Sequence, residues 1–190
     1  MINKIDIKEV ITKADYNAFV KFPFSLYKNN PYWVPPLIND EIETLDPNKN
    51  PVYKNSSAKL YLAYKGNKVV GRIAAIINWI EIKEIKKNKV RFGWYDIIDD
   101  IEVSKSLLDK VIDFGKENDM EIIEGPVGFS NLDKAGLLIE GFEEPNTIIT
   151  LYNSSMTPEM NGVEPEVIFF ILVKYISLSP GFILSGLYPE

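Results

Sequence analysis

Apolar residues recur along this chain in several rhythms, and each rhythm predicts a different element. Ile5 and Ile7, followed by Val10, alternate with charged residues as in a strand with one buried face. Asp15 then reads as an N-cap, and Phe19, Phe22, Leu26 and Tyr27 recur at helical spacing. Pro23 requires either a kink there or a division into two short helical pieces. Residues 37–45 predict a short acidic helix, and the DPNKNP run after it predicts a loop. Leu60, Leu62 and Tyr64 alternate again, and residues 69–77 form an almost continuous apolar run. Between these two runs lies Lys65-Gly66-Asn67-Lys68, whose Gly-Asn pair suits the positive φ angles of a two-residue turn. The prediction is an antiparallel hairpin whose second strand is central and covered on both faces.

Residues 91–98 predict a strand with aromatic bulk from Phe92, Trp94 and Tyr95, which passes across a turn of carboxylates into a helix. Asp99 and Glu102 have capping-box spacing, and Val103, Leu107, Val111 and Phe114 form the apolar stripe of a helix that ends near Asn118. A further strand at residues 120–124 is broken by Gly125-Pro126. Strand, helix and strand in succession favour a right-handed crossover between parallel strands. With the hairpin, this gives an α/β fold: a mixed, mostly antiparallel, twisted sheet flanked by helices.

Length bounds this picture to one domain and a tail, since 190 residues fill one substantial core and are too few for two ordinary domains. Composition narrows the chemistry. The chain has no Cys and no His, which excludes disulfides, thiolate nucleophiles, Ser-His-Asp triads and nearly every transition-metal site. Acid and base work must come from Asp, Glu, Tyr, Lys or water. The net charge of -6 removes any general attraction to nucleic acid or anionic membrane, so neither is an expected partner. The opening MINKIDIKEV lacks the apolar core of a signal peptide, and a cytoplasmic location is expected.

Several residues carry two readings. Tyr32 and Trp33, among Pro31, Pro35 and Pro36, are either a plug over the core or the wall of a ligand cleft. Arg72, the polar exception in the apolar strand, is either half of a buried ion pair or a ligand for substrate or phosphate. The basic run at residues 81–91 is either a solvated loop or a contact for a nucleotide phosphate. Asp96, Asp99, Asp100 and Glu102 either cap the helix or hold Mg²⁺ or Ca²⁺, although they lack calcium-loop spacing, and no metal site is expected. Gly125-Pro126 and Gly128 end a strand or bring backbone near a ligand, and Asn131 and Asp133 read as caps for the segment beyond.

The runs FPFSLYKNNPYWVPPL, VVGRIAAIIN from Val69, FGWYDIIDDIEVSKSLLD and GPVGFSNLDKAGLLIEGFEEP from Gly125 resemble bacterial proteins of the GNAT superfamily, the N-acetyltransferase-like group, over residues 5–153. The resemblance implies a sheet in which two central strands splay to admit acetyl-CoA or another acyl-CoA. It also implies transfer of the acyl group to a small amine. Asp96, at its strand end, is the candidate base, directly or through water, and Tyr152 the candidate acid, because phenols serve that role in the superfamily. The cofactor would lie against Ile97, Ile98, Asp99, Glu102, Val103, Ser104 and Asn131.

One departure qualifies the match. Superfamily members typically follow the fourth strand with an Arg/Gln-x-x-Gly-x-Gly/Ala loop whose amides wrap the CoA pyrophosphate. Here Ile98-Asp99-Asp100-Ile101-Glu102-Val103-Ser104 stands instead, an acidic junction that marks a subfamily. Its carboxylates compete for the helix amides and repel a diphosphate. The alternative is therefore a non-catalytic GNAT-like binding or dimerisation module that has lost CoA. A second departure is the tail: residues 154–190 lose the resemblance and include a run at 167–176 that is strongly apolar but too short to span a membrane. It either completes the sheet as a β-rich segment or reflects a shifted reading frame, and its apolar surface makes self-association an expectation.

Overall fold

The hairpin predicted from the alternating and continuous apolar runs lies at the centre of the sheet. A computed structural model describes residues 4–130, 133 and 136, together with the backbone of Ile183–Ser185. In chain order the elements are β1 (Ile5–Glu9), α1 (Lys13–Leu26), α2 (Ile38–Leu45), a 3₁₀ turn (Pro51–Lys54), β2 (Ser56–Lys65), β3 (Lys68–Asn78), α3 (Trp79–Ile85), β4 (Lys89–Ile97), α4 (Ile101–Glu117), β5 (Ile122–Glu124) and β6 (Ile183–Ser185). The strands lie side by side in that same order, β1 to β4 antiparallel, then β5 parallel to β4 and β6 parallel to β5. The architecture is therefore a mixed, mostly antiparallel sheet with helices on it. Gly66 takes φ 60° at the β2–β3 turn, where a side chain would be strained.

Two apolar layers sandwich the sheet. On one face α4 packs Val103, Leu107, Val111 and Phe114 against Tyr61, Ile73, Phe92 and Ile97. On the other, α1 and α2 bring Phe19, Val20 and Leu45 against Leu60, Leu62 and Ile76. This is why β3 reads as a continuous apolar run: it is buried from Val70 to Ile77 because both faces are covered.

Four local expectations are corrected. The N-cap of α1 is Thr12, not Asp15; Thr12 Oγ accepts from the Asp15 amide at 3.2 Å while the Asp15 carboxylate takes the Thr12 amide at 2.8 Å, so Asp15 is the third helical residue of a capping box. Of the two readings of Pro23, the division into two helical pieces is excluded, because α1 runs on to Leu26. The basic run is no solvated loop, because α3 occupies its first part and Lys89 and Arg91 are buried in β4, ion-paired with Glu81 and Glu124. Finally, the N-cap of α4 is Asp100 and not Asp99.

Candidate functional site

Strand β4 changes character halfway along. Ala74 pairs with Gly93 and Arg72 with Asp96, so a single residue of β3, Ile73, lies opposite two of β4, Trp94 and Tyr95. That is a β-bulge, and Trp94 sits in it at φ 46°. A bulge inverts the inside-outside alternation beyond it. Val90 and Phe92 face α4 before it; after it Tyr95 and Ile97 do, and Trp94 turns to the α1 and α2 side. Asp96, directly opposite Arg72, consequently meets α1.

The same point is where β5 leaves. Pairing between β4 and β5 covers Lys89 with Ile122, Val90 with Ile123 and Arg91 with Glu124. The chain then turns through a cis Gly125–Pro126 bond, and the Val127 amide donates to the Phe92 carbonyl at 2.8 Å. A Cβ on Gly93 would lie 2.7 Å from the Val127 carbonyl oxygen, so only glycine lets the two backbones come this close. Among the described residues no strand pairs with residues 94–97 on the β5 side.

A polar network holds the other side. Arg72 Nε donates to Asp96 Oδ2 at 2.6 Å, and the Tyr27 hydroxyl donates to Asp96 Oδ1 at 2.6 Å, with all three residues buried. Arg72 Nη1 donates to the Phe19 carbonyl at 2.9 Å, and its guanidinium lies 5.1 Å from the Phe19 ring centre. Pro23 accounts for that acceptor, since it lacks the N–H that would bond residue 19 four positions back in an unbroken helix. At the bulge, Trp94 Nε1 donates to Glu41 Oε2 of α2 at 2.7 Å. Trp33, half-buried, packs on Tyr27 at 5.4 Å and on Phe24 at 5.1 Å, against the end of α1.

The acidic junction closes on itself. Asp100 Oδ1 accepts from the amides of Glu102 at 2.9 Å and Val103 at 3.3 Å, and its carboxylate contacts Lys65 Nζ at the end of β2. Burial pushes the Asp100 carboxyl up, but the Lys65 ammonium and the two amides outweigh it and hold the group below its ordinary value. Tyr95 donates to Ser104 Oγ at 2.7 Å, and burial drives its phenol well above the usual range.

The residues read as site candidates from sequence separate accordingly. Asp96 is buried with both oxygens engaged. Ile97, Val103 and Ser104 turn into the α4 layer, Ile98 is half-buried with its amide on the Val70 carbonyl at 2.9 Å, and Asp99 and Glu102 are exposed. Asn131 and Tyr152 lie outside the described residues. Asp133 accepts from the Ser130 amide at 2.7 Å and so shapes the turn before it. Asp96 faces α1 while Asp100 caps α4, and among the described residues no group of three or more Asp, Glu, His or Cys gathers as a metal would need. No described helix is long and apolar enough to cross a membrane. Sequence reasoning missed Tyr27, Glu41 and Lys65. Each meets its partner 35 to 69 positions away, beyond the reach of local spacing.

No known family profile matches the chain. It is 34% identical over 139 residues to the protein YghO of Escherichia coli, covering 73% of this chain and 35% of that protein. It is 27% identical over 146 residues to a bacterial ceramide synthase of Caulobacter vibrioides, covering 76% of this chain and 38% of the enzyme. The chain thus spans little more than a third of the length of these relatives. Among solved structures, a tandem GNAT protein from the clavulanic acid biosynthesis pathway superposes with a TM-score of 0.49 at 11% identity over 62% of this chain and 34% of that one. An aminoglycoside acetyltransferase from an uncultured soil metagenomic sample gives 0.45 at 14% identity over 63% and 74%.

Proposed function

We propose that this chain is a GNAT-type acyltransferase domain that moves an acyl group from an acyl-CoA to an amine. The observation that carries the reading is the bulge at Trp94 on a strand whose β5 flank is open among the described residues from there on. Attack on a thioester carbonyl develops negative charge on its oxygen, and main-chain N–H groups held in a water-poor cleft stabilise that charge. An open strand flank also suits an extended amide-bearing chain such as the pantetheine arm, which pairs with backbone as an added strand does. The amine acceptor is supported by the relative named a ceramide synthase, since ceramide is an amide of a long-chain amino alcohol. Val34 and Leu37, exposed in the segment next to Trp33, suit an acceptor with an apolar chain.

Asp96 is a buried anchor in this reading and not the base, because Arg72 and Tyr27 hold both its oxygens. Glu41, half-buried against the indole of Trp94, is the carboxylate assigned to the incoming ammonium. Tyr152 keeps the proposed role of acid for the thiolate. The donor's two ends fit unequally: the thioester arm suits β4, whereas Asp100 already holds two of the α4 amides that a diphosphate would use. That self-capping favours the second reading, a GNAT-like binding module that no longer takes CoA.

Calorimetric titration with acetyl-CoA decides between the two. Saturable binding, followed by mass-spectrometric detection of N-acylated product from a panel of long-chain amines, supports the enzyme. No binding up to millimolar ligand sinks it.

A further inference from the structure

We propose that Tyr27 is a positioning residue for the acyl-donor site, acting through Asp96 on the backbone of the β4 bulge; this rests on the acyl-CoA reading above. The hydrogen bonds form a closed circuit. It starts at the Phe19 carbonyl, passes through Arg72 and Asp96, and returns to α1 at Tyr27. The two grips on α1 are eight residues apart, about 12 Å along the helix axis. Pro23 lies between them and frees the first acceptor, while Tyr27 is the C-cap residue whose own amide bonds the Pro23 carbonyl at 2.8 Å. The circuit is therefore built into the helix by a residue that costs it an internal bond.

Its target is the stretch of β4 with one described strand partner instead of two. Before the bulge β4 has a hydrogen-bonded strand on each side; after it the described partner is β3 alone. Asp96 is two residues past Trp94, and pinning its side chain to α1 fixes the strand just beyond the bulge. Oriented N–H donors work only when held to about half an ångström. The Tyr27 ring also touches Trp33, so the anchor joins the donor site to the segment between α1 and α2.

The test uses the full chain and two ligands, acetyl-CoA and CoA, which differ by the acyl carbonyl. Wild type is expected to bind acetyl-CoA more tightly, and Tyr27→Phe, which removes only the hydroxyl, to shrink that preference by about tenfold while CoA affinity holds. Val20→Ala serves as a control for loosened packing, since Val20 is buried in α1 on the same face. It is expected to lower the melting temperature and leave the preference intact. Should Tyr27→Phe melt below the assay temperature, Arg72→Lys makes the same test, because Lys lacks the fork that grips both Asp96 and the Phe19 carbonyl. An unchanged preference in the Tyr27 or Arg72 variant overturns the inference, as does an equal loss in Val20→Ala or a wild type that binds the two ligands alike. Failure of wild type to bind either ligand refutes the acyl-CoA reading itself, and the positioning role with it.

Discussion

The two halves of β4 both bury charge, and they use it in opposite directions. In the first half Lys89 and Arg91 reach sideways: Lys89 lies 2.7 Å from Glu81 and 2.9 Å from Glu124, and Arg91 lies 2.7 and 2.8 Å from the same two carboxylates. Two cations and two anions balance, and they staple β4 to β5 and to α3. In the second half Asp96, paired with Arg72 of β3, reaches upward to α1, with no charged contact to β5 among the described residues. The bulge between the halves makes the switch, since it turns Asp96 to the face of α1, and β5 pairs only with the stretch before it. One half is a closed joint. The other, among the described residues, is an edge supported from α1, and such an edge is where a ligand backbone can enter a sheet.

The largest effect is expected from breaking the closed joint. Arg91→Ala removes a side chain only 4% exposed and leaves Glu81 and Glu124 sharing Lys89, which should cost about 3–5 kcal/mol of stability in urea titration. A loss under about 1 kcal/mol would mean that water already reaches the joint. Asp96→Ala should cost a similar ~3–5 kcal/mol, because it strands the Arg72 guanidinium. The paired replacement Arg72→Met with Asp96→Leu sharpens the contrast: it should recover at least half of that loss while forfeiting the preference for acetyl-CoA over CoA. If stability and preference return together, the network is packing and nothing more.

A smaller effect tests the crossing point itself. Gly93→Ala places a methyl 2.7 Å from a backbone oxygen that cannot rotate away, and should cost about 1–3 kcal/mol. Gly71→Ala is the comparison, because its nearest neighbours, 2.9 Å off, are side-chain ends of Leu107 and Val103 that can shift. The order Gly93 above Gly71 in thermal melts is the expected outcome, and the reverse would place the tighter constraint under α4.

Why some of this was legible in the sequence and some was not follows from which forces are local. Periodicity reports burial, so the β2–β3 hairpin, the α4 stripe and the strand after it could be read directly. The both-sided burial of β3 even exposed Arg72 as an exception that required a partner. The bulge was invisible because Phe92, Gly93, Trp94 and Tyr95 are compatible with either face, and only pairing with Ile73 fixes which residue is extra. Asp96 was noticed as a strand-end carboxylate, yet its engagement depends on Tyr27, 69 positions away. The basic run misled for a related reason: Lys89 and Arg91 look solvated until Glu81 and Glu124 fold around them. Choosing between Asp99 and Asp100 as the cap turned on a one-residue difference in where α4 begins, which spacing alone leaves open.

The mildest test concerns that cap, and it separates the acidic junction from both halves of β4. Asp100 satisfies two α4 amides and meets Lys65, so Asp100→Ala should cost about 1 kcal/mol near neutral pH. Because the native carboxyl titrates below its unfolded value of about 3.9, the stabilisation is fully present above that pH and fades as pH falls through the lowered native value. Melting temperatures of wild type and variant should therefore run parallel from pH 7 to about pH 5 and draw together as pH falls below about 3.9. A gap that stays constant as pH falls below about 3.9 would assign the loss to helix packing instead of the charged cap. The same variant exposes the Glu102 and Val103 amides, so if the self-cap is what disfavours a diphosphate, affinity for CoA should rise even as stability falls. Both changes moving together downward would instead make Asp100 a support for the donor site, and the acidic junction a feature of binding and not an obstacle to it.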